Sequence, residues 1–271
     1  MPELPEVETT RRGVAPAVVD RVIERVIVRE PRLRWPVPPR LAASAAGQRV
    51  RALRRRAKYL LFDLEQGTLI LHLGMSGSLR VIPQLTQPLT HDHVDIVLDS
   101  GAVLRFNDPR RFGSVLWTTD DPLLHPLLRK LAPEPLSDDF DAAYLTRVAK
   151  GRRVPIKQLL MNGQLVVGVG NIYASEALFR ARVRPRRLAG RLKPAEYAAL
   201  ARAVKGVLND AIRAGGTTLR DYVNADGMPG YFRQKLYVYE RTGQPCRRCR
   251  TPIKQFAQGQ RSTYFCPGCQ R

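Results

Sequence analysis

Residues 59–82, YLLFDLEQGTLILHLGMSGSLRVI, hold three apolar runs separated by Glu-Gln-Gly and Gly-Met-Ser-Gly. Runs this short, bounded by glycine turns, read as β-strands rather than helices. The same character spreads outward. VIERVIV (22–28), HVDIVLD (93–99), AVLRF (102–106) and SVLWT (114–118) are equally short, and Asp99-Ser100-Gly101 makes a turn between two of them. Such spacing predicts an antiparallel sandwich or barrel. Ahead of it, residues 3–18 predict a helix, with Val7, Thr10, Val14 and Val18 at helical spacing and Pro16 near its end.

Past residue 121 the character changes. PLLHPLLRKLAPEPL (122–136) is a proline-punctuated connection, and from 141 onward the periods are helical. Tyr144/Leu145/Val148, Ile156/Leu159/Leu160 and Ile172–Phe179 mark three helices. The clearest runs from Pro194 to Arg213, with Tyr197, Leu200, Ala201, Val204, Leu208, Ala211 and Ile212 as its stripe. Pro194 suits its first turn and Gly215-Gly216 stops it. The expected fold class is therefore α+β. Its expected parts are an N-terminal β-sandwich domain with a leading helix (1–121), a linker (122–140), a helical domain (141–232) and a cysteine module (233–271). Residues 217–231 read as a long polar loop.

The 271 residues carry 45 Lys+Arg against 24 Asp+Glu, a formal charge of +21. With 44% hydrophobic and 25% charged residues, wholesale disorder is excluded. No apolar stretch approaches the roughly 20 residues of a membrane span. The opening MPELPEVETT bears acids where a signal peptide bears bases. A cytoplasmic protein without membrane contact is expected. The positive surplus points to a polyanion, and nucleic acid is the favoured partner. Arg49, Arg51, Arg54, Arg55, Arg56 and Lys58 crowd residues 49–58, and five arginines fall in 182–191. A basic helix lying on a membrane would need an apolar face opposite its charges, and neither run shows one.

All four cysteines fall near the end, as Cys246-x2-Cys249 and Cys266-x2-Cys269 with 16 residues between the pairs. Two such knuckles match a tetrahedral zinc ribbon, and four thiolates leave no open position, so one structural zinc is expected. The intervening Ile253–Phe265 reads as a hairpin exposing Lys254, Gln258, Gln260 and Arg261 near its tip.

At the other end stand Met1-Pro2-Glu3-Leu4-Pro5-Glu6. A small second residue permits removal of Met1, which would leave Pro2 with a free secondary amine. An α-amino group has a pKa of roughly 7.7–8.0, so a useful fraction is nucleophilic near neutral pH. Glu3 beside it could move protons, and Glu6 one turn on could hold the helix start. Read without other information, the plainer reading would win: Pro and Glu in a first helical turn are routine capping residues.

Several further segments change that balance. MPELPEVET, LGMSG (73–77), HDHVD (91–95), DPRRFG (108–113), VGVGNIYASEALF (167–179), GGTTLRDYVNADG (215–227) and QRSTYFCPGCQR are collinear with the bacterial formamidopyrimidine-DNA glycosylases. The chain resembles that family over its whole length. The related endonuclease VIII branch typically has Gly at position 4, where Leu4 stands here.

The resemblance implies a bifunctional DNA glycosylase/AP lyase. It would excise oxidised purines (8-oxoguanine, formamidopyrimidines) from duplex DNA, then cleave the strand by β,δ-elimination. Its partner would be double-stranded DNA containing oxidised bases or abasic sites, bound by a monomer. By resemblance, Pro2 is the Schiff-base nucleophile, Glu3 handles protons, Lys58 serves β-elimination and Arg261 δ-elimination. Met75, Arg110 and Phe112 correspond to the wedge that fills the gap left by an extruded nucleotide. Asn171 in a helix–two-turn–helix motif, His91 and Arg152 match DNA-contact positions, and 217–231 matches a lesion-covering loop. Two rivals remain. A non-catalytic zinc-ribbon nucleic-acid binder would bind DNA without cleaving it, and an endonuclease VIII-like enzyme would prefer oxidised pyrimidines.

Overall fold

The computed structural model describes residues 2–216 and 236–271. The expected lesion-covering loop, 217–231, lies outside the described residues. The chain divides into two compact units, one of residues 1–130 with 214–231 and one of residues 131–213 with 232–271.

In the first unit, α1 (Leu4–Val18) precedes β1 (Ile23–Val28), a short α2 (Leu41–Ala45) and seven further strands. These are β2 (Ala52–Arg56), β3 (Tyr59–Asp63), β4 (Thr68–His72), β5 (Ser78–Ile82), β6 (Asp92–Leu98), β7 (Val103–Asn107) and β8 (Ser114–Thr118). They form two four-stranded antiparallel sheets, ordered β1-β6-β7-β5 and β2-β3-β4-β8. Strand alternation explains the sandwich. Val94, Ile96 and Leu98 of β6 join Leu60 and Phe62 of β3 and Leu69 and Leu71 of β4 in one core. Val7, Val14 and Val18 of α1 enter the same core. Asp95, on the other face of β6, is fully buried and neutralised by Arg29 at 2.6 Å and Arg105 at 2.7 Å.

Two elements depart from the sequence expectation. α2 was not foreseen, and β2 lies inside the basic run that read as a cationic surface. Leu53 points its side chain into the core, while Arg54 pairs with Asp63 on β3 and Arg55 with Glu8 on α1 at 3.2 Å. That run is therefore partly a structural strand, in which Arg54 and Arg55 are matched by neighbouring acids.

The second unit carries α3 (Ala142–Ala149), α4 (Ile156–Leu160), α5 (Asn171–Arg180) and α6 (Pro194–Arg213), then the hairpin β9 (Lys254–Gln258) and β10 (Arg261–Phe265). Asp141 caps α3, its Oδ1 accepting the Tyr144 N–H at 2.6 Å. The predicted stripe of α6 is buried from Tyr197 to Ala211, with Ile212 half-buried at its edge. A two-residue loop joins β9 to β10, with Gly259 and Gln260 at φ +56° and +59°. Positive φ at both positions is the type I′ geometry that matches strand twist. Among the described residues, no helix is long and apolar enough to cross a membrane.

Candidate active site and metal centre

The first unit holds the helix start and the turns around it. Glu3 is the N-cap of α1, and its backbone N–H donates to Glu6 Oε2 at 2.9 Å. Both carboxylates are buried, at 2% and 1% exposure, and Pro2 immediately precedes them, also buried. Two acids are thus held within one helical turn of the candidate nucleophile. Helix α1 is tied to β2 through Glu8. Burial alone would raise the Glu8 pKa, but hydrogen bonds from Arg11 and Arg12 bring it below the usual carboxylate range. β2 runs directly into the Ala57-Lys58 turn, where Ala57 takes φ +52° and Lys58 is half-buried.

His72 lies one strand away and was not singled out from the sequence, where it is one polar residue in an apolar run. Its Nδ1 accepts the Gly74 N–H at 3.0 Å, and its ring packs 4.7 Å from that of Tyr59. Burial, then the charges of Lys58 and Arg34, push its pKa down to about 4. A neutral imidazole with an unprotonated Nδ1 fits the bond it makes.

The LGMSG and DPRRFG turns interlock. A Cβ on Gly74 (φ +67°) would sit 2.5 Å from both Gly113 N and Phe112 C, and one on Gly113 would sit 2.6 Å from His72 O. Only hydrogen at both positions allows this approach. Asp108 shapes the second turn, its Oδ2 accepting the Gly113 N–H at 2.7 Å while burial raises its pKa. The interlock places half-buried Met75 on one turn and exposed Arg110 and Phe112 on the other. The Arg110 guanidinium lies 4.9 Å over the Phe112 ring. His91 adjoins the same turn through its carbonyl, which accepts the Asp108 N–H at 3.0 Å. Its side chain is exposed, and its φ is +73°.

In the second unit, Gly170 rather than Asn171 is the N-cap of α5. The Asn171 side chain turns to the hairpin instead, donating from Nδ2 to Ser262 O at 3.0 Å. Its Oδ1 accepts from Lys157 Nζ at 2.5 Å, and the same ammonium reaches Thr263 Oγ1 at 2.7 Å. Lys157 is 1% exposed. Sequence reading passed over it, although a lysine beside Ile156 on a short apolar helix is the kind of residue that needs buried partners. Arg152 lies apart from this network. It is exposed, bonds Val148 O from Nε at 2.6 Å, and lines a pocket of about 150 Å³ with Arg153 and Arg191. Arg261 is exposed at the first position of β10, and Lys254 and Gln260 are exposed as expected. Gln258 is instead half-buried, because its Nε2 donates to Pro185 O at 3.4 Å.

The four cysteine Sγ atoms lie within 4.8 Å of one another. Cys246–Cys269 and Cys249–Cys266 are 3.9 and 3.4 Å apart, too far for disulfides of roughly 2.05 Å. A tetrahedron with Zn–S distances of roughly 2.3 Å has edges of about 3.8 Å, so the cluster fits one zinc ion. Backbone N–H groups of Arg248 and Cys269 point at Cys246 Sγ and Cys266 Sγ, each at 3.4 Å, as thiolates require. Cys246 and Cys266 are buried against Phe179, Val238, Ile253 and Tyr264, with Cys269 half-buried beside them and Cys249 exposed. Zinc held by these four residues is structural.

Comparison with known proteins agrees along the chain. Family models match in order: the formamidopyrimidine-DNA glycosylase N-terminal domain over residues 1–115, its H2TH domain over 131–223, and a zinc finger found in FPG and IleRS over 243–271. The formamidopyrimidine-DNA glycosylase of Thioalkalivibrio sulfidiphilus is 59% identical over 271 residues, covering all of both chains. The crystal structure of the MutM (FPG) protein from Thermus thermophilus superposes with a TM-score of 0.90 at 42% identity, covering 99% of this chain and 98% of that one. A Lactococcus lactis FPG mutant in complex with Fapy-dG containing DNA gives 0.92 at 32% identity, with full coverage of both. The helix start, the paired turns and the cysteine cluster thus sit within a match that spans both chains from end to end, and the chain belongs to the formamidopyrimidine-DNA glycosylase family.

Proposed function

We propose that this protein excises oxidised purines from duplex DNA and cuts the strand at the resulting abasic sugar, with Pro2 as nucleophile. Family membership carries the glycosylase and lyase activities. The residue roles rest on the helix start, where buried Glu3 and Glu6 stand beside Pro2 and a 2.9 Å bond fixes the first turn.

With Met1 removed, the Pro2 nitrogen attacks C1′ of the damaged nucleotide. The bond from C1′ to the base breaks, the sugar ring opens, and a cationic iminium forms. Glu3 supplies and removes protons in these steps. The iminium acidifies the C2′–H. Loss of that proton expels the 3′ phosphate, and a second elimination expels the 5′ phosphate. Lys58, on its tight turn, and Arg261, on the hairpin tip, are the cations we assign to the departing phosphates. A guanidinium is a poor base, so Arg261 acts as a phosphate clamp.

Reaching C1′ requires the nucleotide to leave the stack, at a cost of a few kcal/mol. Met75 and Phe112 offer apolar surface to the gap, and Arg110 offers a donor fork to the unpaired base, which suits cytosine. Asn171, Arg152 and His91 are assigned to DNA phosphates. The zinc ribbon keeps the Arg261 hairpin rigid. The protein acts as a monomer in the cytoplasm.

Incubation with a duplex carrying 8-oxoguanine opposite cytosine tests the reaction. The expected product is a one-nucleoside gap with phosphate on both flanking ends. Tight binding with an intact strand would make the protein a zinc-ribbon binder instead. Cleavage confined to oxidised pyrimidines would favour the endonuclease VIII-like alternative.

A further inference from the structure

A cavity of about 360 Å³ lies between the Arg184–Arg186 segment and the β9–β10 hairpin. That volume is within the roughly 300–1,000 Å³ of small-molecule sites. It uses none of the residues assigned above to catalysis, base displacement or zinc. Two of its walls are aromatic: the Phe256 and Phe265 rings stand edge to face, 5.5 Å between centres and 76° apart. The Arg186 guanidinium lies over the Phe256 ring at 4.0 Å, so a ring and a cation already share one face. Arg184 is a fixed cation, its Nε and Nη2 donating to Gln270 O at 2.9 Å and Pro267 O at 3.4 Å. Lys254 is exposed at the rim. Among the described residues, no carboxylate lines the cavity.

A slot with flat apolar walls and three cations recognises a flat π system joined to an anion. Nucleobases stack on both phenyl and guanidinium planes, and phosphates are taken by Arg and Lys. We propose that this cavity is a second nucleotide-binding site. The base stacks on the Phe256–Arg186 pair and the phosphate lies between Arg184 and Lys254. The nucleotide comes either free or as part of a single strand.

The zinc-loaded full chain can be titrated with 2-aminopurine deoxyriboside 5′-monophosphate, whose fluorescence is quenched by stacking. Saturable quenching is expected. Phe256→Ala should weaken it about tenfold, the loss of ~1.4 kcal/mol of stacking. Lys254→Ala, a surface change, should weaken the monophosphate but leave the weaker binding of the phosphate-free nucleoside unchanged. Zinc content serves as the folding control, and Arg261→Ala should have no effect on quenching. A single-stranded pentanucleotide with central 2-aminopurine separates the sources: tighter binding than the monophosphate assigns the site to a strand, equal or weaker binding to free nucleotides. Absence of saturable quenching with both probes would overturn the proposal. So would affinities unchanged in both Phe256→Ala and Lys254→Ala.

Discussion

Lys157 Nζ donates to Asn171 Oδ1 at 2.5 Å, fixing the amide that also reaches across to the hairpin backbone at Ser262. A buried ammonium thus joins the first residue of α5 to the strand that carries Arg261. Replacing it by Met would keep the volume and leave polar atoms of Asn171 and Thr263 short of a donor, at about 1–3 kcal/mol for each group left unpaired. Lys157→Met should therefore lower the thermal midpoint and weaken duplex binding about tenfold, a loss of ~1.4 kcal/mol, with zinc content unchanged. Anisotropy with a labelled duplex measures this, and unaltered affinity would show that the Asn171 orientation does not matter for binding.

His72 gives a pH prediction. Its pKa stands near 4 in the fold, against an ordinary value near 6.5. Between those values the unfolded chain binds a proton that the native chain does not. The stabilisation from this group is therefore complete above pH 6.5 and is lost as pH falls toward 4. Ring titration by NMR should show a midpoint near 4, with the Gly74 amide moving in step because its acceptor is Nδ1. A midpoint at or above 6.5 would contradict the burial argument.

The interlocked turns predict a separation of stability from activity. Gly74→Ala introduces a Cβ 2.5 Å from the Gly113 backbone in a left-handed conformation. The turns must part, moving Met75 away from Arg110 and Phe112. Excision of 8-oxoguanine should fall about 100-fold, as expected when positioning slips by about 1 Å, while the sandwich core stays folded by circular dichroism. Retained excision rates would mean that the wedge does not depend on this contact.

Removing zinc should affect the two units differently. The cysteine knuckles share a small core with Phe179, Val238, Ile253 and Tyr264, whereas the sandwich has its own. Chelation, or Cys266→Ser, should abolish DNA affinity and release the hairpin amides to rapid hydrogen exchange. The β1–β8 amides should keep their protection. Wild-type DNA affinity in Cys266→Ser would remove the hairpin from the binding argument.

Much of this was legible in the chain. The Cys-x2-Cys pairs gave the metal centre by spacing alone, and Pro194 and Gly215-Gly216 bounded α6 because capping is a local property. What escaped depends on distant partners. β2 looks like a cationic run until Asp63 and Glu8, nine and 47 residues away from Arg54 and Arg55, supply their carboxylates. Lys157 looks ordinary until Thr263, 106 residues on, accepts its hydrogen bond. The direction of the Asn171 side chain is likewise set by the hairpin rather than by its own helix.

The nucleophile can be identified directly. Borohydride reduction during turnover of an 8-oxoguanine:cytosine duplex should trap a covalent protein–DNA adduct, and peptide mass spectrometry should place it on Pro2 of a chain lacking Met1. An adduct on Lys58 or any other interior lysine, or none from fully processed protein, would contradict the mechanism.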